Sequence, residues 1–339
     1  MIRSARSRRD WQRFFWISLA AALISAAFGI SQGKGTPLYS ALVGIVTSLA
    51  IATPILVLEI KGQRTILRRL RRLPLLAYLG LKTVFYVAVI LAGLLLVGLN
   101  MSDRQSFEST FRASVVFSVI MAVGANVVFE IGQLLGFGTL RNLFTGRYVK
   151  PRREQRAFLL IDMKNSTGMA EKLEPVRFHE LLNDFFRDVA DAALECEAEI
   201  HKYVGDEAIL TWPDDSATSD SECLACPFIA RQFIAGNADA YRRKYGVVPE
   251  FRAALHRGDI VAGEIGDVRH EIAYVGDTLN VAARLLDAAK ETGHDILVSQ
   301  DLLERTTLPE GIAAEKLPML SVRNRAAPLA IAALRPAAS

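Results

Sequence analysis

Four apolar stretches crowd the first part of the chain, at about Phe14–Ile30, Leu38–Leu58, Leu75–Leu99 and Phe111–Leu135, and they constrain the fold more than any other feature. A helix rises about 1.5 Å per residue, so stretches of this length can cross the roughly 30 Å of hydrocarbon in a bilayer. Lipid offers an open backbone no hydrogen bonds, which makes helices the form they must take. Residues 1–137 are therefore expected to form a four-helix transmembrane domain. The rest of the chain alternates apolar with charged residues, as a globular domain does. An overall content of 51% apolar and 22% charged residues is the average of two unlike halves.

Basic residues set the orientation. Arg3, Arg6, Arg8, Arg9 and Arg13 precede the first stretch; Lys61, Arg64, Arg68, Arg69, Arg71 and Arg72 separate the second from the third; Arg141, Arg147, Lys150, Arg152 and Arg153 follow the fourth. The other two loops carry Lys34 and Arg104. The positive-inside rule then puts both termini and the globular half in the cytoplasm, with the spans in the inner (plasma) membrane. The outer loops, about Ser31–Pro37 and Asn100–Ser109, are too short for an external ligand-binding domain. The first stretch lacks a small-residue cleavage pattern before Pro37 and further spans follow it, so it is expected to be retained. Topology accounts for the net charge of +4. No aromatics interleave with base-reading cations, so nucleic acid is not an expected partner. Cys196, Cys223 and Cys226 form no even framework, which suits a reducing compartment, and Cys223-x-x-Cys226 lacks the second pair a zinc site needs.

Polar residues interrupt the apolar runs. Pro54 is expected to kink the second helix. Asn126, Glu130 and Gln133 share one face of the fourth, and Lys82 lies about two turns into the antiparallel third. A buried Lys82–Glu130 pair follows if both face the bundle interior; the alternative is that both reach toward the headgroups.

Residues 138–155 read as a short basic coupling linker, interrupted by Gly146 and Pro151. Beyond it, strands are expected at Ala157–Asp162, Phe251–Arg257, Asp259–Ile265, Glu271–Val275 and Ile296–Val298, with weaker signals at Ala313–Lys316 and Ala327–Ala333. Helices are expected at Ser166–Leu173, Pro175–Cys196, Glu222–Tyr245 and Thr278–Thr292. Ile200–Trp212 reads as a hairpin folded around Gly205-Asp206. Together these make an α+β sandwich over residues 156–335, one sheet with helices mainly on one face and a ferredoxin-like β-α-β-β-α-β core.

Taken alone, Gly205-Asp206 is only a turn. In a ferredoxin-like sheet, however, the first strand neighbours the hairpin, so Asp162 at its end converges with Asp206. Met163–Thr167 then opens a helix, whose amide end attracts anions. Two carboxylates at adjacent strand ends can hold two Mg²⁺ ions and clamp the attacking and leaving oxygens of a phosphoryl transfer. Asn280 and Arg284, at i and i+4, share one helix face and can act on one ligand.

Three motifs, Phe158-x-x-x-Asp162-x-x-x-Ser166-Thr167, Lys202-x-x-Gly205-Asp206 and Gly276-Asp-Thr278-x-Asn280-x-x-x-Arg284, resemble the signatures of class III adenylate/guanylate cyclases over about Arg156–Ala333. The resemblance implies a membrane-anchored bacterial cyclase with four spans. It further implies that Asp162 and Asp206 hold two Mg²⁺ or Mn²⁺ ions with help from the Met163 carbonyl, and that amides around Asn165, Ser166 and Thr167 cradle phosphates. Lys202 would read the purine, Asn280 orient the ribose, Arg284 stabilise charge on the α-phosphate and Arg323 meet the triphosphate. A head-to-tail homodimer and ATP as substrate are implied as well. Ala273 departs from the pattern, standing where adenylate cyclases place Asp or Thr against the adenine amino group. A guanylate or mixed-specificity enzyme is therefore an alternative. So is an inactive receptor or scaffold, although such relatives usually lack one of the four residues Asp162, Asp206, Asn280 and Arg284. A diguanylate cyclase fits less well, since Val204 replaces its first hairpin glycine, and the spans lack the internal repeat of a transporter.

Overall fold

The computed structural model describes residues 2–31, 36–61, 70, 73–98, 104–215, 222–268, 270–321 and 328–337. The chain divides into two compact units, Met1–Phe137 and Gly138–Ser339. The described residues of the first unit include the helices α1 (Ile2–Ser31), α2 (Pro37–Lys61), α3 (Leu75–Gly98) and α4 (Arg104–Leu135). Each contains a window long and apolar enough to cross a membrane: Phe14–Ser31, Pro37–Glu59, Ala77–Leu95 and Phe111–Gly132. Pro54 lies within α2. Many of their large apolar side chains are exposed, among them Leu23, Val84 and Ile120. That is the surface expected where lipid rather than protein completes the packing.

The polar residues of these helices turn inward. Lys82 is 1% exposed, its Nζ 2.7 Å from Glu59 Oε1 of α2 and 4.0 Å from Glu130 Oε2 of α4. Tyr86 donates its hydroxyl hydrogen to Glu59, and the Tyr78 ring lies 5.2 Å from the ammonium. The expected Lys82–Glu130 contact is thus the longer of two, and Glu59, near the end of its stretch, is the closer partner. Asn126 is buried beside this group on α4, whereas the Gln133 side chain lies outside the described residues.

Helix α5 (Phe137–Thr145) starts at the last residue of the first unit and runs into the segment read as linker, where β1 (Arg152–Met163) also starts. Tyr148, ahead of the expected Arg156 boundary, is 3% exposed and packs with Phe158, Leu160 and Ile260. Then follow α6 (Ser166–Lys172), α7 (Pro175–Glu195), β2 (Glu199–Val204), β3 (Glu207–Pro213), α8 (Glu222–Gly236), α9 (Ala238–Tyr245), β4 (Phe251–Ile265), β5 (Glu271–Val275), α10 (Asp277–Thr292), β6 (Ile296–Ser299), α11 (Gln300–Leu303), β7 (Ile312–Leu320) and β8 (Leu329–Pro336). The sheet order is β2-β3-β1-β4-β6-β8-β7, with β5 paired to β4. Its β2-β3-β1-β4 portion is the ferredoxin-like arrangement.

Three readings change. The helix expected over Glu222–Tyr245 is two helices, broken at Asn237. The strands expected at Phe251–Arg257 and Asp259–Ile265 are one strand, because Gly258 stays in the ladder opposite Arg156. Helices cover both sheet faces rather than mainly one. α7 and α8 bury Phe185, Val189 and Leu224 against Leu159 and Ile161, while α10 buries Val281, Leu285 and Ala289 against Phe158 and Leu160. A strand covered on both faces reads as a continuous apolar run, as Ala157–Ile161 does.

Removing one partner of a buried charge group leaves the others uncompensated, at a cost of about 3–5 kcal/mol. Lys82→Met is therefore expected to lower the thermal midpoint of the detergent-solubilised chain more than the Glu59→Gln/Lys82→Met double substitution does. Equal losses would contradict the pairing.

Candidate active site

Asp162 lies at the end of central strand β1 and pairs in register with Glu207, the first residue of β3. The turn between β2 and β3 is Gly205-Asp206, with Gly205 at φ +60°, a conformation that costs glycine little. The Met163 N–H donates to the Asp206 carbonyl at 3.4 Å, tying the turn to the end of β1. Asp162 and Asp206 thus stand side by side, as the ferredoxin-like strand order predicts. Asp162 is 8% exposed. Burial pushes its carboxyl above the ordinary range and Asp206 adds to this, while Lys290 opposes it. Burial, then the Asp162 charge, pushes Glu207 up to about 7.

The opposing cation comes from α10. Lys290 Nζ is 3.1 Å from Asp162 Oδ2. The start of that helix is set by a close approach. Thr278 donates its hydroxyl hydrogen to the Asp259 carbonyl at 2.7 Å, and a Cβ on Gly258 would come within 2.6 Å of that hydroxyl oxygen. Asn280 and Arg284 then lie on the exposed side of α10, opposite buried Val281, Ala282 and Leu285. Arg284 is 3.7 Å from Asp287. Within one chain it is Lys290, and not Asn280 or Arg284, that has a described contact with Asp162.

Lys202 lies on β2 and forms an ion pair with Glu271 of β5. Glu271 and Ala273 alternate with Ile272, so both sit on one side of β5, and Lys202 is drawn to the strand that carries Ala273. Behind them the His201 ring lies 4.5 Å from that of Tyr274. Asn165 is left-handed at φ 53° at the entry to α6, with Ser166 and Thr167 opening that helix. Arg323 lies outside the described residues.

Hard oxygen donors suit Mg²⁺ or Mn²⁺, and Mg²⁺ commonly takes only one or two carboxylates, with substrate phosphates completing its shell. Asp162 and Asp206 fit that demand through their mutual repulsion at one sheet end. Among the described residues no group of three or more His, Cys, Asp or Glu side chains forms a self-sufficient metal cage. Cys196, Cys223 and Cys226 are core residues, each no more than 1% exposed.

Residues 149–327 match the family described as the adenylate and guanylate cyclase catalytic domain. The chain belongs to that family. "Adenylate cyclase 2" of Rhizobium meliloti (strain 1021) is 36% identical over 304 residues, covering 86% of this chain and 83% of that protein. This coverage exceeds the length of the second unit, so the match reaches into the apolar helices. "Adenylate cyclase" of Anabaena cylindrica is 29% identical over 160 residues, covering 46% of this chain and 31% of its own length. The structure of a bacterial light-regulated adenylyl cyclase superposes with a TM-score of 0.53 at 13% identity, covering 64% of each chain, which is a likeness of fold. The cyclase sheet is therefore the scaffold on which Asp162 and Asp206 are mounted.

Sequence reasoning missed Glu207, Glu271 and Lys290. Period-2 alternation on β5 is a signal that pairs Glu271 with Ala273, whereas Lys290 meets Asp162 only through the packing of α10 on the sheet. Lys290→Met removes the cation that a divalent ion would otherwise have to displace. The rise in unfolding midpoint on adding Mn²⁺ to metal-free protein is then expected to be larger than in the unsubstituted chain. An unchanged rise would show that Lys290 does not compete for the carboxylates.

Proposed function

We propose that this cyclase is a membrane-anchored adenylate cyclase that converts ATP to 3′,5′-cyclic AMP and pyrophosphate. The observation that carries the reading is the side-by-side placement of Asp162 and Asp206 at the sheet end, in a chain 36% identical to an adenylate cyclase across most of its length. In the reaction the ribose 3′-oxygen bonds to the α-phosphorus. The bond from that phosphorus to the bridging oxygen breaks, pyrophosphate leaves, and the hydroxyl proton passes to solvent. Asp162 and Asp206, with the Met163 carbonyl, would hold two Mg²⁺ or Mn²⁺ ions, whose positive charge would ease deprotonation of the ribose hydroxyl and offset that of the triphosphate. Backbone around Asn165, Ser166 and Thr167 receives the terminal phosphates and Arg323 meets the same charge. Lys202 reads the purine, with Ala273 beside it, Asn280 orients the ribose, and Arg284 offsets charge developing at the α-phosphate.

Helix geometry supports a head-to-tail homodimer. Asn280 is ten residues before Lys290, about 15 Å along the α10 axis from the point that meets Asp162. A second copy can bring its own Asn280 and Arg284 to a nucleotide held by this chain's carboxylates. The basic loops argue for a cytoplasmic catalytic unit at the inner membrane. The domain reading, with spans up to 137, a coupling segment and a catalytic unit to 335, belongs to the same proposal. Ala273 and the engagement of Lys202 by Glu271 favour loose base selection as a second reading, in which GTP also turns over.

Asp206→Ala is expected to lower cyclic AMP formation by at least about 100-fold while leaving the dimer intact by size-exclusion chromatography. Loss of the dimer, or retained turnover, would refute the assignment. With Mn²⁺ and equal nucleotide concentrations, cyclic AMP is expected to exceed cyclic GMP; the reverse would make this a guanylate cyclase.

A further inference from the structure

Arg156 is 1% exposed, a burial that a guanidinium tolerates only when its donors are met. Its Nε donates to Thr211 Oγ1 at 3.0 Å, its Nη1 to Glu154 Oε2 at 3.3 Å and to the Tyr148 hydroxyl at 3.5 Å, and its Nη2 to Glu199. The guanidinium lies 5.1 Å from the centre of the Tyr274 ring. Thr211 passes the connection on, donating to the Ala157 carbonyl at 2.9 Å.

These partners come from separate parts of the unit. Tyr148 belongs to the coupling segment and lies just ahead of the residues that match the cyclase family, whereas Glu154 is on β1 itself, two residues before Arg156. Arg147 joins them, 3.0 Å from Glu154 Oε1, and the Tyr148 carbonyl accepts from the Glu264 N–H at 2.9 Å. The segment is thereby fastened to the arm where β4 pairs with β5. On the other side, Glu199 opens β2, three residues before Lys202. Tyr274 follows Ala273 directly and packs on His201, which precedes Lys202. Burial holds the His201 imidazole down at about 4, so it faces Tyr274 as a neutral ring at physiological pH.

We propose that Arg156 is a positioning residue that transmits the placement of the coupling segment to the two strands flanking the base. A planar fork with five N–H donors can hold Tyr148, Glu154, Thr211 and Glu199 at fixed mutual angles; an ammonium cannot. Moving Tyr148 therefore shifts β2 and β5 together, which changes how Lys202 and the Ala273 strand grip the purine. The proposal rests on the reading that Lys202 contacts the base.

The test uses the full chain reconstituted in lipid vesicles, with Tyr148→Phe, Arg156→Lys and Lys202→Ala compared in the same assay. Tyr148→Phe keeps the packed ring and removes one hydroxyl. It is expected to raise KM for ATP several-fold and to move the ATP to GTP ratio, with kcat within about twofold and an unfolding midpoint within about 2 °C. Arg156→Lys is expected not to rescue the fork and to raise KM roughly tenfold. If both variants keep the original KM and nucleotide ratio, or if activity falls only in step with the folded fraction, Arg156 is structural and the proposal is overturned. An unchanged KM in Lys202→Ala would instead remove the base-reading assignment on which it stands.

Discussion

The catalytic unit depends on one strand being buried on both faces. From Ala157 to Met163, β1 has no exposed residue, pairs with β3 on one side and β4 on the other, and places alternate side chains in two separate cores. Each face needs its own helices: α7 and α8 cover one, α10 the other. Everything at the candidate site follows from where this strand stops. Asp162 is the last residue that still faces α10, and the hairpin turn carrying Asp206 comes alongside because β3 is its ladder neighbour.

Burial on both faces makes charge expensive, and each unit contains a buried cation held by at least one carboxylate from another element. Between the apolar helices it is Lys82, with Glu59 and Glu130 on two different helices. In the catalytic unit it is Arg156, on the same face of β1 as Asp162 and six residues earlier. Such groups contribute less to net stability than to specifying one arrangement, because any other packing strands a charge. The fork of Arg156 adds one shared polar group to elements that the β-ladder and the Glu264 N–H to Tyr148 carbonyl hydrogen bond already connect.

The four apolar helices were legible because length and composition alone reveal them, and a segment that apolar has helix as the form that meets its own backbone hydrogen bonds. The meeting of Asp162 and Asp206 was legible because strand ends and a Gly-Asp turn are local features whose neighbourhood the ferredoxin-like order dictates. Glu59 was passed over because it stands at the margin of its apolar run, where a carboxylate looks solvated. The break at Asn237 and the continuity of β4 through Gly258 were not legible either. The first is decided by how α9 packs Tyr241 and Tyr245 against Asp188 and Asp184, the second by ladder bonds to Arg156.

The sequence by itself determined that this chain has four apolar helices, a ferredoxin-like sheet and two carboxylates meeting at its end, since hydrophobic period, turn chemistry and strand order are properties of neighbours along the chain. Tertiary structure alone decided which cation meets Asp162, that Glu271 engages Lys202, and that Arg156 joins Tyr148 to Glu199 of β2 and to the Tyr274 ring of β5. Those contacts join residues up to 128 positions apart, as Asp162 and Lys290 are. They exist only once helices have been laid across the sheet, a step that no local pattern encodes.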